Sequence, residues 1–280
     1  MKTRIISGFV LAILLVAAVF SGQIVFGIAV FALSVIGIYE FYNSVSNAGY
    51  KPIKLFGYLA CIPVLLLGMD GKIKAVSDFI ESFQKGNYLG VLIFLLIVLL
   101  STSIIFLHKR FNLIDISLTA YGIIYVVYLF SFVVLTRNME HGVYLIWLIF
   151  IGAFATDTSA YFTGVAIGKT KILPVISPKK SLEGSIGGVL GCILITCMYG
   201  FFLKDSLPDL DVHFYDFAVL GLLCGIISQI GDWTASAIKR YVKVKDYGSL
   251  MPGHGGVLDR FDSILFVAPV IYFYINLFVY

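Results

Sequence analysis

The chain has 280 residues, of which 60% are hydrophobic and only 13% are Asp, Glu, Lys or Arg, and its formal net charge is +4. A soluble domain of this length usually carries about 25% charged residues. The composition, with a mean hydropathy of +0.98, therefore excludes an ordinary soluble domain and is typical of a polytopic membrane protein. All four cysteines lie inside apolar runs without a CxxC pair, so neither a disulfide framework nor a zinc site is predicted.

Nine apolar runs are long enough to cross about 30 Å of hydrocarbon. They cover residues 5–20, 23–42, 53–69, 88–107, 113–135, 142–166, 185–203, 217–238 and 263–280. The first two follow each other so closely that they are expected to form a tight membrane hairpin. We therefore predict an all-α fold, a polytopic integral membrane bundle of about nine transmembrane helices.

The basic residues predict the orientation of this bundle. If the N-terminus is cytoplasmic, fifteen of the twenty Lys and Arg residues fall in cytoplasmic segments and five fall outside. This bias follows the positive-inside rule and favours a cytoplasmic N-terminus. The two basic loops, 167–184 and 239–262, then face the cytoplasm, whereas the acidic loop 204–216 faces the other side.

The most polar stretch of the chain, "KVKDYGSLMPGHGGVLDRFD", precedes the last apolar run and covers residues 243–262. Glycines on both sides of His254 let backbone amides approach a ligand and form an anion-binding nest. Lysine and arginine suit phosphate, and carboxylates are the oxygen ligands that Mg²⁺ takes together with substrate phosphates. Cations and carboxylates in one loop are typical of metal-assisted phosphoryl or nucleotidyl transfer.

The apolar helix that leads into this loop carries one polar stripe. Gln229, Asp232, Ser236 and Lys239 are spaced i, i+3, i+7 and i+10, so they share a face. An ionised carboxylate at membrane depth costs several kcal/mol unless it meets a cation or a wet cavity. Asp232 is therefore either part of a structural ion pair with Lys239 or Arg240, or a metal or substrate ligand.

Two upstream segments also carry polar residues. Asp157 in "ATDTSAY" is either part of a hydrogen-bonding cluster between helices or a second acidic site residue. The segment "SPKKSLEGSIGG", residues 177–188, begins the seventh run and is either an anion site or a positive-inside anchor. Its overlapping GxxxG pairs predict close helix packing. Two further acids, Glu40 and Asp115, lie near span ends and are interpreted as interface residues.

The stretch "SAIKRYVKVKDYGSLMPGHGGVLDRFDS", residues 236–263, resembles the signature of the phosphatidate cytidylyltransferase family, also called CDP-diacylglycerol synthases. That signature runs S-x-x-K-R-x4-K-D and, after a short gap, H-G-G-x-x-D-R-x-D, and every fixed position is matched. The segments "SPKKSLEG" and "QIGDW" resemble two further family motifs, with Ser181 in place of Thr and Trp233 in place of Leu. The resemblance covers about residues 150–280.

The resemblance implies a membrane enzyme that joins CTP and phosphatidic acid to give CDP-diacylglycerol and pyrophosphate. It implies Mg²⁺, with a monovalent cation such as K⁺ as a further cofactor, and a homodimer in the bilayer of the cell (inner) membrane with its active site towards the cytoplasm. No nucleic-acid partner is expected. Residues 1–110 then form an N-terminal transmembrane region, and residues 111–280 form the catalytic region.

The family motifs assign roles to individual residues of this chain. The expected catalytic residues are Asp232, Lys239, Arg240, Asp246, His254 and Asp259. The expected substrate-binding residues are Lys179, Lys180, Ser181, Ser236, Lys245, Gly255, Gly256 and Arg260. The expected metal ligands are Asp232 and Asp246, followed by Asp157, Asp259 and Asp262.

Two other functions are compatible with parts of the pattern. A CTP-dependent kinase of a polyprenol-type lipid would use the same nucleotide but release CDP instead of pyrophosphate. An ion-coupled transporter would use Asp157 and Asp232 as an intramembrane relay. The transporter is disfavoured because the sequence has no inverted repeat and its charges cluster at one face.

Overall fold

A computed structural model describes residues 2–85, 88–203, 212–251, 253 and 255–279. Within these residues, six helices are long and apolar enough to cross a membrane. They are Gln23–Asn47, Leu113–Asn138, Gly142–Ile167, Leu182–Leu203, Phe214–Tyr241 and Leu258–Phe278. Three predicted runs correspond to shorter apolar helices, over Ser7–Phe20, Lys54–Met69 and Ile93–Phe106. The α-helical integral membrane class is confirmed, and the count of about nine spans stays a prediction.

The elements follow the apolar runs closely. The helices are α1 Lys2–Phe20, α2 Gln23–Asn47, α3 Lys54–Ala60, α4 Ile62–Met69, α5 Lys74–Lys85, α6 Tyr88–Phe106, α7 Leu113–Gly122, α8 Leu129–Asn138, α9 Gly142–Ile167, α10 Leu182–Leu203, α11 Phe214–Tyr241 and α12 Leu258–Phe278. A π-helical segment, Ile123–Tyr128, joins α7 to α8, and two strands, β1 Lys171–Leu173 and β2 Ser177–Ser181, lie between α9 and α10.

The chain forms two compact units, and the first contains Met1–Val134 and Tyr247–Val257. In this unit α2 packs against α4, where the backbones of Gly27 and Gly68 approach so closely that neither could carry a side chain without a shift. Tyr42 of α2 is fully buried and donates a hydrogen bond of 2.8 Å to the carbonyl of Thr119. The sequence-based division at residue 110 concerns function, and it stays a prediction.

Asp115 lies at the start of α7 and is only 3% exposed. It forms a capping box with Asn112, and its Oδ1 also accepts a hydrogen bond of 2.6 Å from the backbone N–H of Lys51. A carboxylate in the first turn of a helix is favourable because it satisfies N–H groups that lack intrahelical partners. Asp115 is therefore a buried capping residue, a role that its position near a span end did not reveal.

The second unit contains Leu135–Asp246 and Leu258–Tyr280, so it holds α9 to α12 and the two strands. The glycines of the predicted GxxxG pairs all face α9. Gly184 and Gly188 lie against Ala160, while Gly187 and Gly191 lie against Thr163 and Ser159, respectively. Small residues let membrane helices approach closely enough for dispersion contacts to hold them together. The predicted close packing of this segment is confirmed.

The predicted loop 167–184 contains an antiparallel hairpin of β1 and β2 with a register irregularity between Lys171 and Leu173. The Glu183 carboxylate supports the hairpin by accepting backbone hydrogen bonds from Lys169 (3.0 Å) and Thr170 (3.2 Å). A further bond of 2.8 Å joins the backbone N–H of Leu182 to the carbonyl of Thr170. The lysines of "SPKKS" consequently lie on a short strand that is held at the N-terminal end of α10.

The α9–α10 contact gives a testable prediction. A Cβ on Gly188 would lie 2.9 Å from Cβ of Ala160 and 3.1 Å from the carbonyl oxygen of Thr156, so Gly188→Ala should destabilise the protein by about 1–3 kcal/mol. The control is Gly90→Ala in α6, where a Cβ meets nothing within 4 Å and alanine is the better helix former. Thermal unfolding in detergent should show a lower midpoint for Gly188→Ala alone; equal midpoints would contradict the packing described.

Candidate active site

The polar stripe of α11 meets the hairpin through an ion pair in the second unit. Lys180 Nζ of β2 lies 2.8 Å from Asp232 Oδ2, and the two side chains are 30% and 24% exposed, respectively. The sequence left open an ion pair of Asp232 with Lys239 or Arg240; the structure pairs it with Lys180 instead. Lys180 is therefore more than a positive-inside anchor, because its ammonium compensates a carboxylate of the membrane helix.

A second ion pair joins the end of α11 to the start of α12. Lys239 Nζ lies 2.7 Å from Asp259 Oδ1, and the two side chains are only 14% and 3% exposed. Arg240, next to Lys239, is exposed and donates from Nε to the carbonyl of Ile176 at 3.3 Å. The signature residues Lys239 and Asp259 are thus direct partners, which their separation of twenty residues did not show.

Two further carboxylates lie close to these pairs. Ser263 donates from Oγ to Asp157 Oδ2 at 3.5 Å, and its backbone N–H donates to Asp262 Oδ1 at 2.7 Å. Asp157 is close enough to interact electrostatically with Lys180, Asp232 and Arg260. Asp262 interacts in the same way with Asp232, Asp157 and Lys239. Asp157 therefore lies near Asp232 and also receives a hydrogen bond from another helix, so both roles left open for it are compatible with its position and its role in the site stays a prediction.

We refer to Asp157, Lys180, Asp232, Lys239, Asp259 and Asp262 as the charged cluster. Fully ionised, its four carboxylates and two ammonium groups sum to two negative charges. Such a surplus in a half-buried site favours an added cation, because a carboxylate taken from water needs positive charge nearby. The cluster also presents ammonium groups, so it can contact an anion and a cation together.

The charge of Lys180 is stable in this site. Burial alone lowers the pKa of its ammonium. The Asp232 carboxylate and its hydrogen bond to Lys180, together with the carboxylates of Asp157 and Asp262, raise the pKa by more than burial lowers it. The pKa of Lys180 therefore lies above the usual lysine value. Lys180 is consequently a fixed positive charge at neutral pH.

The donor set of the cluster fits a magnesium ion completed by substrate, and not a cage made of protein alone. Among the described residues, no group of three or more His, Cys, Asp or Glu side chains could hold a metal. Magnesium is usually bound by one or two carboxylates together with waters and substrate phosphates. Asp157 and Asp262 supply hard oxygen ligands of this kind, and Asp232 and Asp259 carry the same oxygen atoms but are each held by a lysine. The metal ligands named from sequence stay a prediction.

The structure does not place the other expected site residues in the cluster. Lys179, Lys245 and Asp246 are exposed, and Ser236 is partly exposed on α11. Ser181 is buried and its Oγ accepts a hydrogen bond of 3.2 Å from the N–H of Gly184, which caps α10. Arg260 is exposed at the start of α12, within electrostatic range of Asp157. Gln229 fixes α11 to α10 through hydrogen bonds with Ser185.

The glycine-rich part of the signature belongs to the first unit, and two of its glycines have a left-handed backbone conformation. Gly253 and Gly255 have φ of 77° and 87°, a left-handed conformation that glycine adopts without strain. The N–H of Met251 donates to the carbonyl of Gly255 at 2.9 Å, and the two residues form an isolated antiparallel bridge. Gly256 is buried against the carboxylate of Glu40. His254, one of the expected catalytic residues, lies outside the described residues.

Glu40 and Ser44 are functional candidates that the sequence analysis missed. Both lie in α2, and both contact the segment 247–257, as described below. The sequence did contain a sign of this role, because Glu40 lies inside the apolar run "IGIYEFY" and a carboxylate in such a run needs a hydrogen-bond donor or a cation. Its interpretation as an interface residue is corrected by its burial, with only 4% of Glu40 exposed.

A helical bundle with several membrane-crossing helices and a half-buried ionic site defines a multi-pass membrane protein. The model of the cytidylyltransferase family matches residues 2–278. The chain belongs to this family, and the match includes the N-terminal half, which carries no recognisable motif.

Relatives of the chain support the same family. The chain is 30% identical to the phosphatidate cytidylyltransferase of Bacillus subtilis (strain 168), over 99% of this chain and 98% of the relative. It is also 30% identical to the protein of that name from Staphylococcus haemolyticus (strain JCSC1435), over 97% of both chains. A protein of the same name from Thermotoga maritima is 42% identical over 151 residues, 54% of this chain and 56% of the relative.

The Lys180–Asp232 pair gives a second prediction, on stability. Lys180→Met leaves Asp232 without its cation and should destabilise the protein by about 1–3 kcal/mol, between the values for exposed and fully buried pairs. Lys179→Met, at the exposed neighbouring position, is the matched control and should change stability little. Combining Lys180→Met with Asp232→Asn should recover part of the loss in thermal unfolding. Additive effects would mean that the pair contributes nothing.

The same pair predicts a pH dependence. Because the folded pKa of Lys180 is raised, the stability that the pair supplies is fully present below the unfolded lysine pKa of about 10.4 and is lost only as pH rises through the folded value. The difference in melting midpoint between wild type and Lys180→Met should therefore persist above neutral pH and be lost only in strong base. A difference that disappeared between pH 7 and about 9 would contradict the raised pKa.

Proposed function

We propose that the chain transfers the cytidylyl group of CTP to phosphatidic acid and so produces CDP-diacylglycerol and pyrophosphate. Membership in the cytidylyltransferase family and full-length relatives named phosphatidate cytidylyltransferase support this function. The observation that carries it in the structure is the charged cluster, where signature carboxylates and ammonium groups meet within a membrane bundle. Such a site suits a phosphate-transfer reaction between a water-soluble nucleotide and a membrane lipid.

The reaction needs positioning more than proton transfer. A phosphate oxygen of phosphatidic acid attacks the α-phosphorus of CTP, a new P–O bond forms, and the bond to the bridging oxygen breaks as pyrophosphate leaves with its electron pair. The nucleophile is already an anion, so no general base is required. The protein contributes by holding the two phosphates in line and by neutralising charge that repels them.

The residues of the cluster divide naturally between these tasks. Lys180 and Lys239 supply ammonium groups for phosphate oxygens, and Asp157, Asp232 and Asp262 are the proposed holders of Mg²⁺. When bound, Mg²⁺ supplies charge neutralisation at the phosphates of CTP. Asp246 is a further proposed ligand, and the exposed cations Arg240, Lys245 and Arg260 are proposed to attract the polyphosphate from solution.

The orientation and the assembly are also proposals. The distribution of Lys and Arg supports a cytoplasmic N-terminus, about nine spans, and a charged cluster that faces the cytoplasm, where CTP is made available. We further propose that the protein is a homodimer of the cell inner membrane, as the family resemblance suggests, with K⁺ as a second cofactor.

The test is cytidylyl transfer by the purified full-length protein in detergent with phosphatidic acid, Mg²⁺ and CTP labelled at the α-phosphate. Label should move into the lipid phase with an equal release of pyrophosphate, and a chelator should abolish the transfer. Asp232→Asn should lower kcat at least about 100-fold, because it removes a charge at the reacting phosphates. Asp78→Asn, at an exposed carboxylate of α5, is the matched control and should keep full activity.

Product analysis separates the alternatives. Release of CDP with the γ-phosphate on the lipid would replace the proposed reaction with a CTP-dependent lipid kinase. Ion flux into liposomes that is independent of CTP, with no labelled lipid from folded protein, would favour a transporter. Neither alternative is favoured by the relatives of the chain.

A further inference from the structure

We propose that Glu40 and Ser44 of α2 form a clamp that holds both ends of the segment 247–257, the glycine-rich part of the signature, in its working conformation. We call this segment the signature loop. Glu40 and Ser44 are positioning residues in this proposal, because they act through the loop. The expected effect on CTP binding rests on the function proposed above, whereas the effect on the loop does not.

The contacts of the clamp reach both ends of the signature loop. The backbone N–H of Val257 donates to Glu40 Oε1 at 3.0 Å, and Ser44 donates from Oγ to the carbonyl of Tyr247 at 3.3 Å. Glu40 and Ser44 are four residues apart, so they lie on the same face of α2. They are only 4% and 2% exposed, so these polar groups are directed at the loop and not at water.

Two glycines of the loop make room for the clamp. A Cβ on Gly248 or on Gly256 would overlap the Glu40 carboxylate, so a side chain at either position would have to displace it. Gly256 has no positive φ, in contrast to Gly255 with φ of 87°. Two adjacent glycines are thus required for different reasons: Gly255 for its backbone conformation, and Gly256 for its closeness to Glu40.

The energetics couple the carboxylate to the loop. A buried carboxylate costs several kcal/mol unless charged hydrogen bonds replace its water. In Glu40 the backbone N–H of Val257 supplies one of these bonds, so the same contact that stabilises the charge also fixes this end of the loop. Because Glu40 is on a 25-residue helix, the loop is fixed to a rigid element. A phosphate-binding loop that is ordered in advance binds its ligand without the entropy cost of ordering at that moment.

The first experiment measures hydrogen exchange in the full-length protein in detergent. Glu40→Ala should raise the exchange rates of the amides in residues 247–257 by about tenfold or more, the loss expected for a hydrogen bond to a charged group. Glu40→Gln, which keeps the size and one acceptor, should have a smaller effect. The control is Ser34→Ala, a buried polar residue of the same helix whose hydroxyl donates to the carbonyl of Val30, within α2. Equal loop exchange in Glu40→Ala and Ser34→Ala would overturn the clamp.

A second variant guards against loss of folding in Glu40→Ala. Gly256→Ala should also raise loop exchange, because its Cβ would push against the Glu40 carboxylate. The effects of Gly256→Ala and the Glu40 substitution should not add, since the added methyl group acts through the carboxylate. Additive effects would show that Gly256 is required for another reason, and the proposed steric link would fail.

The kinetic readout tests the consequence for the substrate. Glu40→Ala should raise the KM for CTP about tenfold and leave the KM for phosphatidic acid unchanged, and Glu40→Gln should restore most of the CTP affinity. A purely structural defect would instead reduce the active fraction and lower kcat with both KM values unchanged. If the wild-type protein transferred no cytidylyl group, the proposed function would fail, and hydrogen exchange would still decide whether the clamp exists.

Discussion

The structure depends on one constraint: a charged group inside an apolar helical bundle must meet its opposite charge or a donor from another element. Lys180 meets Asp232 across the second unit, Lys239 meets Asp259, and in the first unit Glu40 meets the backbone of the signature loop. None of these partners is a near neighbour in sequence. The helices must therefore be held at fixed separations before the charges can be compensated, and the glycine faces of α10 provide such close and fixed packing.

The two ion pairs of the charged cluster explain why both signs of charge occur together, while its other two carboxylates leave a negative surplus. Each ammonium group holds a carboxylate, so neither is exposed to the apolar surroundings alone. A ligand that carried only negative charge would bind the ammonium groups of the lysines and leave their carboxylate partners uncompensated. A ligand that carries both signs, as a polyphosphate with its divalent cation does, can replace both partners at once. The cluster is thus selective for a charge pattern before any shape is recognised.

The class of the fold and all six members of the cluster could be predicted from sequence because their signals are local. Apolar runs, a polar stripe at helical spacing and GxxxG pairs each depend on residues a few positions apart. The partners could not be predicted, because Asp232 and Lys180 are joined only by the way the hairpin folds back. The hairpin lies in "KILPVISPKKS", a short segment that is interpreted from sequence as part of a loop because it has no strand-like alternation. The π-helical segment after Gly122 has no distinguishing sequence pattern.

The position of Glu40 beside Gly256 has a consequence for how this protein can change over evolutionary time. The two residues are more than two hundred positions apart, yet a larger residue at one position requires a shorter one at the other. Substitutions at the two sites are therefore not independent. Alanine at position 256 fits without displacing a carboxylate only where a shorter side chain has already replaced Glu40. The order in which the two substitutions occur therefore decides whether each of them is tolerated.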